Sequence, residues 1–221
     1  MAVAFLQTLD PQDRSALMAL GHHRRFRRGA PLIVQGDHSD RIFVLLRGRA
    51  KVTVDTLDGH EIVLAVLRSG DLAGEFEALD HDGGPRTAST VAAEPVECQV
   101  LTGDEFRSFL DSHPRAVRVV LKIIVQRLHA ADRRRIDSGT LDTAHRLARL
   151  FIELVDQRDP ADVPTIDLDI PLTQHELATL IATSRESLVR ALAVMRAGGL
   201  ISTARRRISV CDLDGLRRYS Q

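Results

Sequence analysis

The chain has 221 residues of which 44% are hydrophobic, enough for one large or two smaller packed domains, and its 30 basic and 30 acidic residues give a formal net charge of zero. A uniformly basic nucleic-acid binder is thereby excluded and the distribution of charge becomes the question: residues 171–221 carry 8 Arg against 4 acidic side chains, whereas residues 1–170 carry 22 Lys and Arg against 26. Only Cys98 and Cys211 are present, with no CxxC and no Cys/His run, so no disulfide framework, zinc site or Cys-ligated cluster is implied; without a signal-peptide pattern or a run of about 18 apolar residues, a cytoplasmic protein with no membrane partner is expected.

Asp10-Pro11 reads as an N-cap with proline in the first turn of a short helix bearing Leu17 and Leu20. From Arg25 to Leu101 the pattern changes to brief apolar or alternating runs at 31–34, 42–46, 51–54, 61–66 and 97–101, with breaks at Gly36-Asp37, Gly48, Asp58-Gly59 and Gly70-Asp71. Short strands at nearly regular spacing predict a barrel or jelly roll. Within it, the run Gly70 to Leu79 followed by Pro85-Arg86-Thr87-Ala88 is the informative segment. A glycine-led short helix offers backbone amides to an anion, and an Arg can pair with a phosphate through its fork of donors.

Asp111-Ser112-His113-Pro114 opens the next element, and Val117, Leu121, Ile124, Leu128 and Ala131 recur at helical intervals, predicting a helix to about Asp137. Roughly 24 residues at about 1.5 Å each span about 36 Å, more than a small domain covers, so a second copy of the helix is the expected cover. The alternative is a helix packed only on its own roll. Arg133-Arg134-Arg135 reads as a solvated charged run, and Ser138-Gly139-Thr140 as an interruption and hinge. Leu147, Leu150, Phe151 and Leu154 define another amphipathic helix, ended by Asp159-Pro160.

Pro171 to Ile201 is the stretch around which the rest is organised. Leu177, Leu180 and Ile181 mark the inner face of one short helix and Leu188, Ala191, Leu192 and Met195 that of a second, a helix-turn-helix. Arg185, Glu186, Val189 and Arg190 fall on the opposite arc. An Arg can donate to guanine O6 and N7 and a Glu can accept from cytosine N4, so this face suits a G·C-containing half-site. Ser184 stands where a hydroxyl caps the second helix, with Thr173 counted among the DNA-facing residues. After Gly198-Gly199, Ser202 to Val210 reads as a hairpin wing whose Arg205, Arg206 and Arg207 meet phosphates. An ordinary helical hairpin with solvated charges is the competing reading of these residues.

The segment Ser184-Arg185-Glu186-x-x-x-Arg190 resembles the winged helix-turn-helix of the cyclic-AMP receptor protein and fumarate-nitrate regulator superfamily. The resemblance implies that Arg185, Glu186 and Arg190 read a TGTGA-like half-site, and that Asp142 corresponds to the hinge aspartate of relatives. Ala182 departs from a common turn glycine at an expected small cost, and Val189 adds an apolar group that can meet a thymine methyl. The glycine spacing over residues 25–110 likewise resembles the superfamily's nucleotide-binding roll. By that resemblance Gly74, Glu75 and Phe76 line the pocket, Glu75 accepts from the ribose 2′-hydroxyl, Arg86 holds the phosphate and Thr87 adds a hydroxyl. Ala131 and Asp132 stand where the receptor protein has its adenine-contacting Thr-Ser pair, leaving Asp132 as an altered base contact. Glu77 replaces a usually small residue: it would repel an anion, or pair with Arg86 and fill the anion's place, or merely brace the loop.

The expected molecule is an α+β dimer with a β-roll at 1–111, a dimerisation helix at 112–138 and a winged helix-turn-helix at 139–221. It is expected to be a sequence-specific transcription regulator on a palindromic double-stranded site, controlled by cyclic AMP, with cyclic GMP or no ligand as alternatives, no metal, and RNA polymerase as a further partner. A degenerate pocket, with constitutive action or another effector, is the alternative. An enzyme is the competing class, disfavoured because no nucleophile elbow, metal cluster or carboxylate pair stands out; haem sensing is disfavoured because His22, His23 and His60 are isolated.

Overall fold

In the computed structural model, which describes residues 4–79, 84–156, 165–204 and 207–220, the chain begins with two short helices, α1 Phe5–Thr8 and α2 Pro11–Met18, and then enters a run of antiparallel strands. These are β1 His22–Phe26, β2 Pro31–Ile33, β3 Ile42–Arg47, β4 Ala50–Asp55, β5 Glu61–Leu67 and β6 Leu72–Ala73, then helix α3 Glu75–Leu79, β7 Ser89–Ala92 and β8 Val96–Leu101. They form two four-stranded sheets, ordered β1-β8-β3-β6 and β2-β7-β4-β5. Side chains alternate across a strand, and β3 shows what that achieves. Phe43 and Leu45 join Phe26, Ile33, Ala50, Leu67, Val96 and Val100 in a cluster drawn from both sheets, whereas Ile42 and Val44 face Phe5, Leu17, Phe106, Phe109, Val120 and Ile123. With both faces covered, β3 is apolar from Ile42 to Leu46 and ends on the exposed Arg47.

Two helices follow, α4 Gly103–Ser112 and α5 Pro114–Thr140. Thr102 starts α4 with a reciprocal capping box to Glu105. At the centre of β8, Cys98 is fully buried, and burial pushes its thiol up to about 12; Cys211 is exposed.

The chain divides into units at 2–127 and 128–221, a division that falls within α5. The second unit contains α6 Thr143–Asp156, β9 Ile166–Leu168, α7 Gln174–Leu180, α8 Arg185–Ala197, β10 Ile201–Ala204, β11 Arg207–Val210 and α9 Leu213–Tyr219. The three strands make an antiparallel sheet ordered β10-β11-β9. Its core gathers Leu147, Phe151, Leu177, Leu188, Met195, Ile201, Val210 and Leu216, all nearly solvent-free.

Three expectations need correction. β1 reads His-His-Arg-Arg-Phe and was not expected as a strand: it is an edge strand exposed at four of five positions, so no apolar alternation marks it. The single helix expected from residue 112 is preceded by α4. The expected interruption at Ser138-Gly139-Thr140 is absent, because α5 runs through it with the Ser138 and Thr140 hydroxyls bonded back to the Arg135 and Ile136 carbonyls at 2.7 and 2.9 Å. The break comes after Thr140, and Asp142 Oδ1 accepts the His145 amide at 2.9 Å at the start of α6. The expected helix end at Asp159-Pro160 lies outside the described residues, as do Arg205 and Arg206.

Candidate nucleic-acid interface and effector site

Two side-chain caps fix where α7 and α8 begin. Thr173 and Glu176 form a capping box at α7, the Glu176 amide donating to Thr173 Oγ1 at 3.2 Å and the Thr173 amide to Glu176 Oε2 at 2.6 Å. Ser184 caps α8 by accepting the Ser187 amide at 3.2 Å. With Leu177, Leu180, Ile181, Leu188, Ala191, Leu192 and Met195 buried, the phase of α8 is set, and Arg185, Glu186, Val189 and Arg190 are all exposed beside its N-terminus. Arg190 Nη2 donates to Ser187 Oγ at 2.8 Å. The backbone amide of Glu186, the Ser184 hydroxyl and the neighbouring Arg185 and Arg190 hold the Glu186 carboxyl below its ordinary pKa, so it acts only as an acceptor, as reading an exocyclic amine requires. In the wing, Arg207 is exposed and lies 3.5 Å from Asp167.

The turn between α7 and α8 is less relaxed than expected. Ala182 has φ +52°, a left-handed conformation that costs an L-residue about 1–2 kcal/mol. Its amide donates to Thr179 O at 3.0 Å and its carbonyl accepts Arg146 Nη1 at 3.2 Å, which holds it there. Ala182→Gly is therefore expected to stabilise the chain, by about 0.5–1 kcal/mol after the added freedom of the unfolded state is subtracted. Urea unfolding checks this, and a lower midpoint would show that the methyl group has a packing role.

The second constellation lies in the roll. Gly74 has φ +86°, and a Cβ there would stand 2.6 Å from Arg41 O and 3.0 Å from Arg86 Nη1, so only glycine lets the Arg86 side chain seat. That side chain is 1% exposed. It donates to Ser39 Oγ at 3.2 Å, Gly74 O at 2.9 Å, Arg41 O at 2.5 Å and Glu77 Oε2 at 3.0 Å. Glu77 Oε1 accepts from the Thr87 amide at 3.0 Å and the Thr87 hydroxyl at 2.8 Å. Burial opposes the charge on Glu77, yet the Thr87 amide, its own amide, the Thr87 hydroxyl and Arg86 together keep its pKa below the usual value. A further anion about 4 Å from this carboxylate would be opposed by about 4 kcal/mol at an effective dielectric of about 20.

Glu75 is held separately, by an ion pair with Arg127 of α5, whose Nη2 also donates to Leu72 O at 2.7 Å. Glu75 Oε2 is buried without a partner among the described residues, which fits acceptance from a ligand hydroxyl. Phe76 is 49% exposed with the Arg127 guanidinium 6.0 Å from its ring centroid. The roll thus joins Gly74 to Arg86 directly, Arg86 to Thr87 through Glu77, and Glu75 to Phe76 through Arg127. Asp132 is exposed on α5. Arg127 was not anticipated; an arginine beside Ile123 and Ile124 in an apolar helical stripe was the available signal. Among the described residues no group of three or more His, Cys, Asp or Glu side chains could hold a metal ion, and no helix is long and apolar enough to cross a membrane.

Two family models match the chain, a cyclic nucleotide-binding domain over residues 23–113 and a Crp-like helix-turn-helix domain over residues 145–219. The chain is 26% identical over 215 residues to the CRP-like cAMP-activated global transcriptional regulator of Mycobacterium tuberculosis, covering 97% of this chain and 95% of that protein. It is 26% identical over 201 residues to the cAMP-activated global transcriptional regulator Vfr of Pseudomonas aeruginosa, covering 90% and 94%. Its fold is similar to that of a CooA mutant from Carboxydothermus hydrogenoformans, with TM-score 0.80 at 18% identity over 100% of this chain and 97% of that one.

Proposed function

Because the chain belongs to the Crp/Fnr superfamily of transcription regulators, we propose that it acts as a homodimer that binds a TGTGA-like palindrome in double-stranded DNA. The observation that carries this reading is the exposed Arg185-Glu186-x-x-x-Arg190 face at the capped start of α8, directly opposite a buried apolar face. Such a helix start enters a major groove with its charged edge toward the bases.

The second copy is supported by α5. Leu121, Val125, Leu128 and Ile136 are 55%, 47%, 58% and 61% exposed at near-heptad spacing, a stripe that a parallel partner helix buries. Two reading helices then fall about 34 Å apart, one duplex turn. The wing's Arg207 adds affinity and salt dependence without choosing sequence.

The roll is the regulatory half; cyclic AMP, which the names of both relatives give as their activator, is the ligand against which its response is to be compared. The test is a mobility-shift titration at fixed salt with a TGTGA-bearing palindrome and a scrambled duplex, alongside sedimentation of the free protein. Two copies per palindrome and at least roughly 1,000-fold preference over the scrambled duplex are expected; a monomer indifferent to base sequence would refute the reading.

A further inference from the structure

We infer that Glu77 is a tethered anion occupying the phosphate seat of the roll, so that the regulator proposed above keeps this seat filled by its own chain and excludes cyclic nucleotides from it. The inference rests on that functional reading only for its consequence, since the seat itself is defined by hydrogen bonds.

A guanidinium, a backbone amide and a hydroxyl converging on one point form a donor set suited to an oxyanion. Here all three converge on one carboxylate: Arg86 Nη1 at 3.0 Å, the Thr87 amide at 3.0 Å and Thr87 Oγ1 at 2.8 Å. Both carboxylate oxygens are engaged, and the Arg86 and Glu77 side chains are 1% and 14% exposed. Arg86 also donates to Ser39 Oγ, Gly74 O and Arg41 O, which uses most of the five N–H groups of a guanidinium. A nucleotide phosphate therefore meets a seat whose donors already serve a negative charge.

The occupant is also covalently attached. Glu77 sits two residues after Glu75 in α3, so it competes with any ligand as an intramolecular partner at high effective concentration. A cyclic nucleotide has to displace it and leave a carboxylate beside its own phosphate. Glu75 does not share in the exclusion, because its charge is matched by Arg127 and one of its oxygens is left without a partner. If Glu77 only braced Arg86 and Thr87, its removal would loosen those two residues without creating affinity for an anion.

The experiment is calorimetric titration of the full chain with cyclic AMP and, separately, cyclic GMP, using the wild type, Glu77→Ala and Glu77→Gln, each checked for cooperative unfolding. The wild type is expected to bind neither nucleotide at submillimolar concentration. A folded variant without the charge is expected to bind at least one of them roughly 100-fold more tightly, the scale of restored charge-assisted hydrogen bonds. The inference is overturned if the wild type binds within about tenfold of the variants, or if a cooperatively folded variant binds neither nucleotide. If neither variant folds, the wild-type titration decides: binding overturns the inference, and its absence upholds it. Because these titrations use protein alone, their outcome is independent of the mobility-shift result, and loss of sequence-selective DNA binding would count against the functional reading and not against the occupied seat.

Discussion

Arg185→Ala is expected to weaken binding to a TGTGA-bearing palindrome by about 2–6 kcal/mol per dimer, roughly 30-fold or more. One bidentate arginine–guanine pair contributes about 1–3 kcal/mol, and a two-fold symmetric complex contains it twice. Non-specific binding should change much less, because it depends on neutralised phosphates rather than base edges. Arg185 is exposed, so the variant should unfold like the wild type, and a change in DNA affinity cannot be traced to a damaged fold. Mobility shift at one salt concentration, against matched and scrambled duplexes, reads the result. Selectivity unchanged in the variant would place the reader elsewhere on the chain.

Arg127→Ala should have the largest effect on stability. It leaves the Glu75 carboxylate, 1% exposed, without the guanidinium that pairs with it, and removes the donor to Leu72 O. Breaking a buried ion pair in this way costs about 3–5 kcal/mol; the Arg127 side chain is 30% exposed, so about 3 kcal/mol is expected. The pH dependence has a definite sign. Burial raises the Glu75 pKa and Arg127 lowers it, while Glu77 and Asp71 raise it further, for a net upward shift. A carboxyl whose folded pKa lies above its unfolded value opposes folding when ionised, and that opposition fades as pH falls through the folded pKa. Without Arg127 the folded pKa climbs higher still. The deficit relative to wild type should therefore shrink as pH falls from neutral into the acid range, as measured by urea unfolding; a deficit independent of pH would show that packing of the arginine stem, not charge, is what was lost.

The helix-turn-helix was legible because three independent signals agreed over a short span. Ser184 and Thr173 are caps, the apolar residues of α7 and α8 keep one period, and the charges lie on the opposite arc. The roll was legible where its strands are apolar, as in β3, and silent at β1, where histidines and arginines on an exposed edge leave no pattern. Glu77 could be singled out as unusual from the sequence, but its partners could not, because Arg86 and Thr87 stand 9 and 10 positions further along and no sequence pattern pairs them with it. Arg127 was missed for a related reason: its contact with Glu75 spans 52 positions. The break after α5 was misplaced because small residues permit a bend without requiring one, and the Ser138 and Thr140 hydroxyls find carbonyls within the helix.

Strand β8 is bonded on both sides, to β1 and to β3, and Cys98 lies at its centre while Cys211 stands in the open. The two sulfurs thus keep different time. A thiol reagent reaches Cys211 almost on mixing, but reaches Cys98 only when the strands on either side part. The slow phase of modification would clock how often the roll opens, with no label added to the chain.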